Sequence, residues 1–163
     1  MADYEVPDRS TLLLRVREPQ HATVALTMLH RCLGGSADPG ELPGARICTL
    51  SDVSSDGRLA PAAAGVLLRH PGEPAAWLAG VAVDLPFRRR GLGRRLLQEI
   101  CTMLRGEGTE RLFVRIPPER SVMIVWLVGQ GFRVSPTQPP PDLPSMAATR
   151  VDAASGRWLV REL

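Results

Sequence analysis

Between Arg88 and Arg94 the chain sets four arginines around two glycines, in the run Arg88-Arg89-Arg90-Gly91-Leu92-Gly93-Arg94. The chemistry this pattern suits is the binding of a phosphate or diphosphate. An apolar stretch, Trp77 to Val83, precedes the run. Leu92 to Leu104 follows it, with Leu92, Leu96, Ile100, Met103 and Leu104 on one side of a helix. A strand therefore feeds a turn that opens a helix. The first amides of a helix have no intrahelical acceptor and carry a partial positive charge of about half a unit. Gly91 and Gly93 let an oxyanion approach the main chain closely. A diphosphate fits such a nest of N–H groups, and guanidinium groups bind phosphate through paired hydrogen bonds. Two other phosphate loops do not fit. A Walker loop requires Gly-Lys-Ser/Thr, and the chain has no Lys; a GxGxxG fingerprint requires Gly where Leu96 stands.

The elements that must position this loop are legible in the flanking periodicities. Ser10 to Arg17 predicts a strand and His21 to Leu33 an amphipathic helix stopped by Gly34-Gly35. Three strands follow, at Ala45–Val53, Ala62–Arg69 and Trp77–Val83, the last apolar enough for a strand covered on both faces. After the helix from Leu92 come a strand at Arg111–Ile116 and a helix opened by Pro117-Pro118. Then come a short strand at Gly131–Val134, a Pro-rich connection over 135–155 and a closing strand at Arg157–Leu163. The stretch Val122 to Val128 is apolar almost all round and predicts deep burial. The fold class is α/β, a mixed sheet of about seven strands flanked by helices, in one domain spanning residues 1–163.

Composition narrows the function. The chain has 163 residues and a net charge of +3, and all 20 of its basic residues are Arg. The aromatic-interleaved basic stripe of a nucleic-acid binder is missing. No run approaches the roughly 20 apolar residues that span a bilayer, and the acidic start Met1-Ala2-Asp3-Tyr4-Glu5 lacks the pattern of a secretion signal. The expectation is a cytoplasmic protein with neither nucleic-acid nor membrane partners. Cys32, Cys48 and Cys101 show no CxxC pairing and read as reduced thiols, with no metal site.

The loop and its surroundings resemble the acetyl-CoA motif of the GNAT N-acetyltransferase superfamily. The resemblance rests on the apolar strand, then Val83-Asp84-x-Pro86-x-Arg88-Arg89-Arg90-Gly91-Leu92-Gly93, then a helix beginning Arg94-Arg95-Leu96-Leu97. Arg88, Gly91 and Gly93 meet the Gln/Arg-x-x-Gly-x-Gly/Ala signature, and residues 77–134 carry the specific likeness. It implies a sheet splayed open between the fourth and fifth strands, Trp77–Val83 and Arg111–Ile116. It implies acetyl-CoA as cosubstrate, its pantetheine beside the main chain of Val81, Ala82 and Val83 and its diphosphate on Arg88 to Arg94. It also implies a bulge in the fourth strand, with Gly80 a plausible place, that aims an N–H at the thioester carbonyl as an oxyanion hole.

The sequence departs from the family on the following helix. Counting back from Gly131-Phe132, Leu127 stands at the Tyr position and Arg120, beside Ser121, at the Asn position. Ser121 is the candidate to replace Asn against the cofactor. The fourth strand holds no carboxylate, so Glu73, just before it, and His70, with a pKa suited to neutral pH, are the candidate bases. The reading is an N-acetyltransferase acting on a small-molecule or peptide amine. The alternatives are a non-catalytic acyl-CoA-binding or regulatory module and, third, a nucleotide-binding protein with the same anion nest. A homodimer built around the last strands is compatible with the sequence.

Overall fold

The computed structural model describes residues 13–33, 44–53, 59–69, 72–136 and 156–163. Its strands are β1 (Leu13–Arg17), β2 (Ala45–Val53), β3 (Leu59–Leu68), β4 (Ala75–Val83), β5 (Arg111–Ile116), β6 (Arg133–Val134) and β7 (Arg157–Glu162). Its helices are α1 (Thr23–Leu33), α2 (Leu92–Gly106) and α3 (Val122–Gly129). The strands form one sheet in the order β1-β2-β3-β4-β5-β7-β6, antiparallel except for the parallel pair β4–β5. That parallel pair is joined by the crossover through α2, as the geometry of parallel neighbours requires.

Two layers of side chains cover the sheet. On one face α2 and α3 pack Leu96, Leu97, Ile100, Leu104 and Leu127 against Leu78, Leu112 and Val114. On the other, α1 packs Ala25, Met28 and Leu29 against Ile47, Val66 and Ala82. The central strand β4 is thus covered on both sides, the reason it reads as nearly continuous apolar sequence.

Two irregularities in β4 decide the shape of the molecule. Its register with β3 shifts between Val66↔Gly80 and Leu67↔Leu78, which leaves Ala79 as an extra residue, a bulge. Its pairing with β5 runs only from Ala75↔Arg111 to Leu78↔Val114. Beyond the bulge, β4 stays with β3 through Val83↔Ala63, while β5 stays with β7 through Ile116↔Arg157. The two strands part there, and the sheet is splayed between them.

The all-apolar helix α3 corrects one expectation. Only Leu127 of it is buried; Val122 is 77% exposed and Val125 75% exposed. An apolar composition buries a helix all round only when other elements surround it, and among the described residues α3 packs Met123, Ile124, Trp126 and Leu127 against the core and leaves Val122, Val125 and Val128 exposed. At the far end of α2, Glu107 accepts two hydrogen bonds from Arg46, at 2.6 and 2.9 Å, and one from Arg69 at 3.1 Å. Arg69 also donates to the Glu107 carbonyl at 2.9 Å. These contacts tie the C-terminus of α2 to β2 and to the end of β3.

Candidate functional site

The loop from Arg88 to Arg94 lies where β4 ends and α2 begins, beside the open side of the splayed strands. Asp84 starts the turn. Its carboxylate accepts the Leu85 N–H at 2.9 Å, opening a 3-10 turn over Leu85–Phe87, and it also pairs with Arg31 of α1 at 2.6 Å. Two residues then adopt left-handed backbone angles, Arg89 with φ 61° and Gly91 with φ 74°. Glycine accepts that conformation at no steric cost, whereas Arg89 is held in it against its Cβ.

Gly91 is the N-cap of α2, and no side chain caps the helix there. The first bond across the helix start runs from the Arg95 N–H to the Gly91 carbonyl at 3.0 Å. The amides of Leu92, Gly93 and Arg94 therefore lack intrahelical acceptors and form the positive end of a 15-residue helix.

The arginines divide their work. Arg88 turns back on the strand, its Nε donating to the Val83 carbonyl at 3.0 Å, with its terminal nitrogen 4.0 Å from the Cys32 sulfur. Arg90 lies over the Phe87 ring, 5.8 Å from its centre. Arg89 and Arg94 are exposed at the turn. The expectation that all four simply supply charge to an anion is refined: Arg88 first fixes the loop to the strand. Gly93 faces Trp126 of α3 and Val83, so that a Cβ there would sit 3.5 Å from both.

The strand edge has its own polarity. The Asp84 N–H donates to Ala62 of β3 at 2.9 Å. Alternation along a strand then turns the polar groups of Ala82 towards β3 and those of Val81 and Val83 into the gap. Of Val81, Ala82 and Val83, the first and third therefore turn their main-chain polar groups into the gap, and Ala82 turns its own to β3. The irregularity falls at Ala79, one residue before Gly80, and coincides with the last β4–β5 pair.

Across the gap, Ser121 stands before α3, exposed, its hydroxyl free of any helix-capping bond. It borders a cavity of about 770 Å³ with Ile116, Ile124, Val134, Ser135 and Arg157, and none of the described residues lining that cavity belongs to β4 or the Arg88–Arg94 loop. Leu127, at the tyrosine position of the family motif, is buried in the core. Glu73 stands at the opposite end of β4, six residues before the bulge, on the order of 20 Å at about 3.3 Å per residue. The structure does not bring Glu73 together with the loop, and His70 lies outside the described residues. Cys101 lies in the core face of α2 and Cys48 in β2; burial pushes the Cys101 thiol up and raises Cys48 to about 12, so both stay protonated. Sequence reasoning missed the Arg31–Asp84 pair and the Arg88–Val83 bond, whose partners are distant in sequence or set by which way a carbonyl faces.

Residues 31–122 match the model of the acetyltransferase (GNAT) family. No curated protein matches the chain. Among solved structures it is similar to a GNAT family acetyltransferase from Elizabethkingia anophelis with acetyl-CoA bound, at 13% identity and TM-score 0.68, over 95% of this chain and 100% of that one. It is similar to a Bacillus subtilis acetyltransferase in complex with CoA, at 14% identity and TM-score 0.66, over 93% and 99% of the two chains. It is also similar to a ribosomal-protein alanine N-acetyltransferase from Escherichia coli, at 17% identity and TM-score 0.66, over 93% of each chain. At these identities the likeness is one of fold. No helix among the described residues is long and apolar enough to cross a membrane.

Proposed function

Because the chain belongs to the acetyltransferase (GNAT) family, we propose that it transfers the acetyl group of acetyl-CoA to a primary amine, which attacks the thioester directly in a ternary complex. The observation that carries this reading is the uncapped start of α2, with Gly91 left-handed, at the mouth of a splayed β4–β5 pair. A diphosphate suits the amides of Leu92, Gly93 and Arg94 with the guanidinium groups of Arg89 and Arg94 beside it. The loop arginines Arg88 and Arg90 hold the turn in shape through the Val83 carbonyl and the Phe87 ring. The amide groups of a pantetheine arm suit the gap-facing main chain of Val81 and Val83, and Ser121, at the start of the helix that follows β5, is the candidate hydroxyl on the other side of the splay.

The cosubstrate supplies an activated acyl thioester. The chain supplies placement and a field. Main-chain N–H groups released from the ladder by the Ala79 bulge are suited to stabilise the negative charge that develops on the carbonyl oxygen. The amine nitrogen forms the C–N bond as the C–S bond breaks, and the electron pair leaves on sulfur. A thiolate is a tolerable leaving group, since thiols ionise near 8.5. Its proton and the one lost by the amine pass through water, because Leu127 offers no acid and Asp84 is already engaged by Arg31 and the Leu85 N–H. Positioning and backbone electrostatics then account for most of the rate.

The buried Leu127 also favours a second reading, a module that binds acyl-CoA without turnover. Incubation with acetyl-CoA and a panel of amines, followed by mass spectrometry and thiol titration, separates the two. Equal amounts of acetylated amine and free CoA support the transferase. Micromolar cofactor binding without product from any amine class supports the module.

A further inference from the structure

One aromatic side chain joins the two sides of the splay. β4 and β5 share no ladder pair beyond Leu78↔Val114, so their ends at Val83 and Ile116 are parted. α2 follows β4, and α3 follows β5. Trp126 of α3 reaches from the second side to the first. Its Cζ2 lies 3.5 Å from the position a Cβ would take on Gly93, in the first turn of α2, and a Val83 methyl lies 3.5 Å from that same position. Val81, Val83 and Phe87 are partly buried against the same core layer as Trp126.

The orientation of the ring gives this contact a polar side. The ring atom nearest Gly93 is Cζ2, and Cη2 is farther away at 3.9 Å. In an indole, Cζ2 is bonded to the carbon that carries the ring nitrogen. The end of the ring closest to α2 is therefore the end next to the Nε1–H, which is a donor only. Trp126 is partly open to solvent, whereas Trp158 is buried and the Trp77 nitrogen is sealed in the interior. A tryptophan with one end apolar and the other wet usually pairs its N–H when a ligand or partner covers it. A cofactor that runs from the amides of Leu92, Gly93 and Arg94 into the gap along Val81 and Val83 passes this donor.

We propose that Trp126 is a further cofactor-binding residue, its indole N–H donating to an oxygen of the acyl-CoA diphosphate while its ring walls the cleft between α2 and α3. This role rests on the diphosphate seat proposed for the start of α2. The indole adds to that seat what its arginines do not. It is a neutral donor on a stiff ring with two side-chain torsions, held against Gly93 by packing rather than by charge. Its flat face is also an apolar wall for the methylene and methyl groups that lead into the pantetheine arm. If the ring served only to pack α3 on α2, phenylalanine would serve as well, so the N–H is the atom that separates the two roles.

The test is an NMR titration of the full chain with acetyl-CoA that follows the backbone amides and the three indole N–H resonances, assigned through their own backbones. The Trp126 indole proton is expected to move downfield and to saturate together with the amides of Leu92, Gly93 and Arg94, while those of Trp77 and Trp158 stay in place. Trp126→Phe keeps a ring and removes the donor. Calorimetry on that variant is expected to show the Kd for acetyl-CoA raised about tenfold, the size of a lost hydrogen bond to a charged group. If Trp126→Phe does not fold, the indole titration of the unaltered chain decides. An indole proton that stays in place while the three amides saturate, or an unchanged Kd in the folded variant, would overturn the role of Trp126 and leave the α2 seat standing. No saturating shift at the three amides would overturn the seat itself, and the role of Trp126 with it.

Discussion

Gly91 and Gly93 are two residues apart in one loop, yet alanine at each should act in opposite ways. Gly91 has φ 74° and ψ 9°, and a Cβ built on it meets nothing within 4 Å. The cost of Gly91→Ala is therefore the backbone term alone, about 1–2 kcal/mol for an L-residue in the left-handed region. If the loop keeps its shape, unfolding free energy falls by that amount. If the loop relaxes instead, the binding-competent fraction falls by a factor of roughly 5 to 30, and the Kd for acetyl-CoA rises in proportion. Gly93 sits inside α2, and its added Cβ would touch Trp126 and Val83 at 3.5 Å, an ordinary contact. Alanine also favours a helix over glycine by up to about 1 kcal/mol. Gly93→Ala should match or exceed wild-type stability and hold the Kd within about threefold. Urea unfolding and calorimetric titration with acetyl-CoA on both variants measure the two effects. Equal losses in the two variants, or a neutral Gly91→Ala beside a damaging Gly93→Ala, would refute the assigned roles.

Three further outcomes are expected. Arg89→Gly relieves a left-handed non-glycine residue (φ 61°) and removes a loop charge; stability should rise by up to about 1 kcal/mol while acetyl-CoA affinity drops several-fold, read by the same two methods. Glu107→Gln removes the charge and one of the two acceptor oxygens that Arg46 and Arg69 share, and should cost about 2 kcal/mol in urea unfolding. The Arg46 hydrogen bonds hold the Glu107 carboxyl below its usual value of 4.5, so its contribution is present above that pH and lost as the pH falls through the lower folded value; the variant should lose that part of the acid-side slope. Glu73→Gln should leave the pH–rate profile of acetyl transfer unmoved, because Glu73 lies six residues before the bulge, on the order of 20 Å at about 3.3 Å per residue; a shifted limb would restore it as a base.

Much of this molecule was legible because its signals are local. The loop announces itself through Gly91 and Gly93 at a strand-to-helix junction, and β2 and β5 fall at the residues that their apolar runs and flanking turns mark. The splay between β4 and β5 followed from the resemblance to the acetyltransferase motif. Its exact onset did not, because the bulge at Ala79 depends on where β5 stops pairing rather than on Gly80 next to it. Arg88 could not be assigned to the Val83 carbonyl from sequence, since that bond depends on the direction the carbonyl faces after the bulge. The exposure of Val122 and Val125 was missed for a similar reason: composition reports how apolar a helix is, and only its neighbours determine how much of it is covered.

The most direct test of the transferase reading is a crystal structure of the complex with acetyl-CoA. Diphosphate oxygens are expected within about 3.2 Å of the amides of Leu92, Gly93 and Arg94, with the pantetheine arm along Val81 and Val83 in the gap. A cofactor bound elsewhere, with those amides facing water or acceptors from the chain itself, would contradict it.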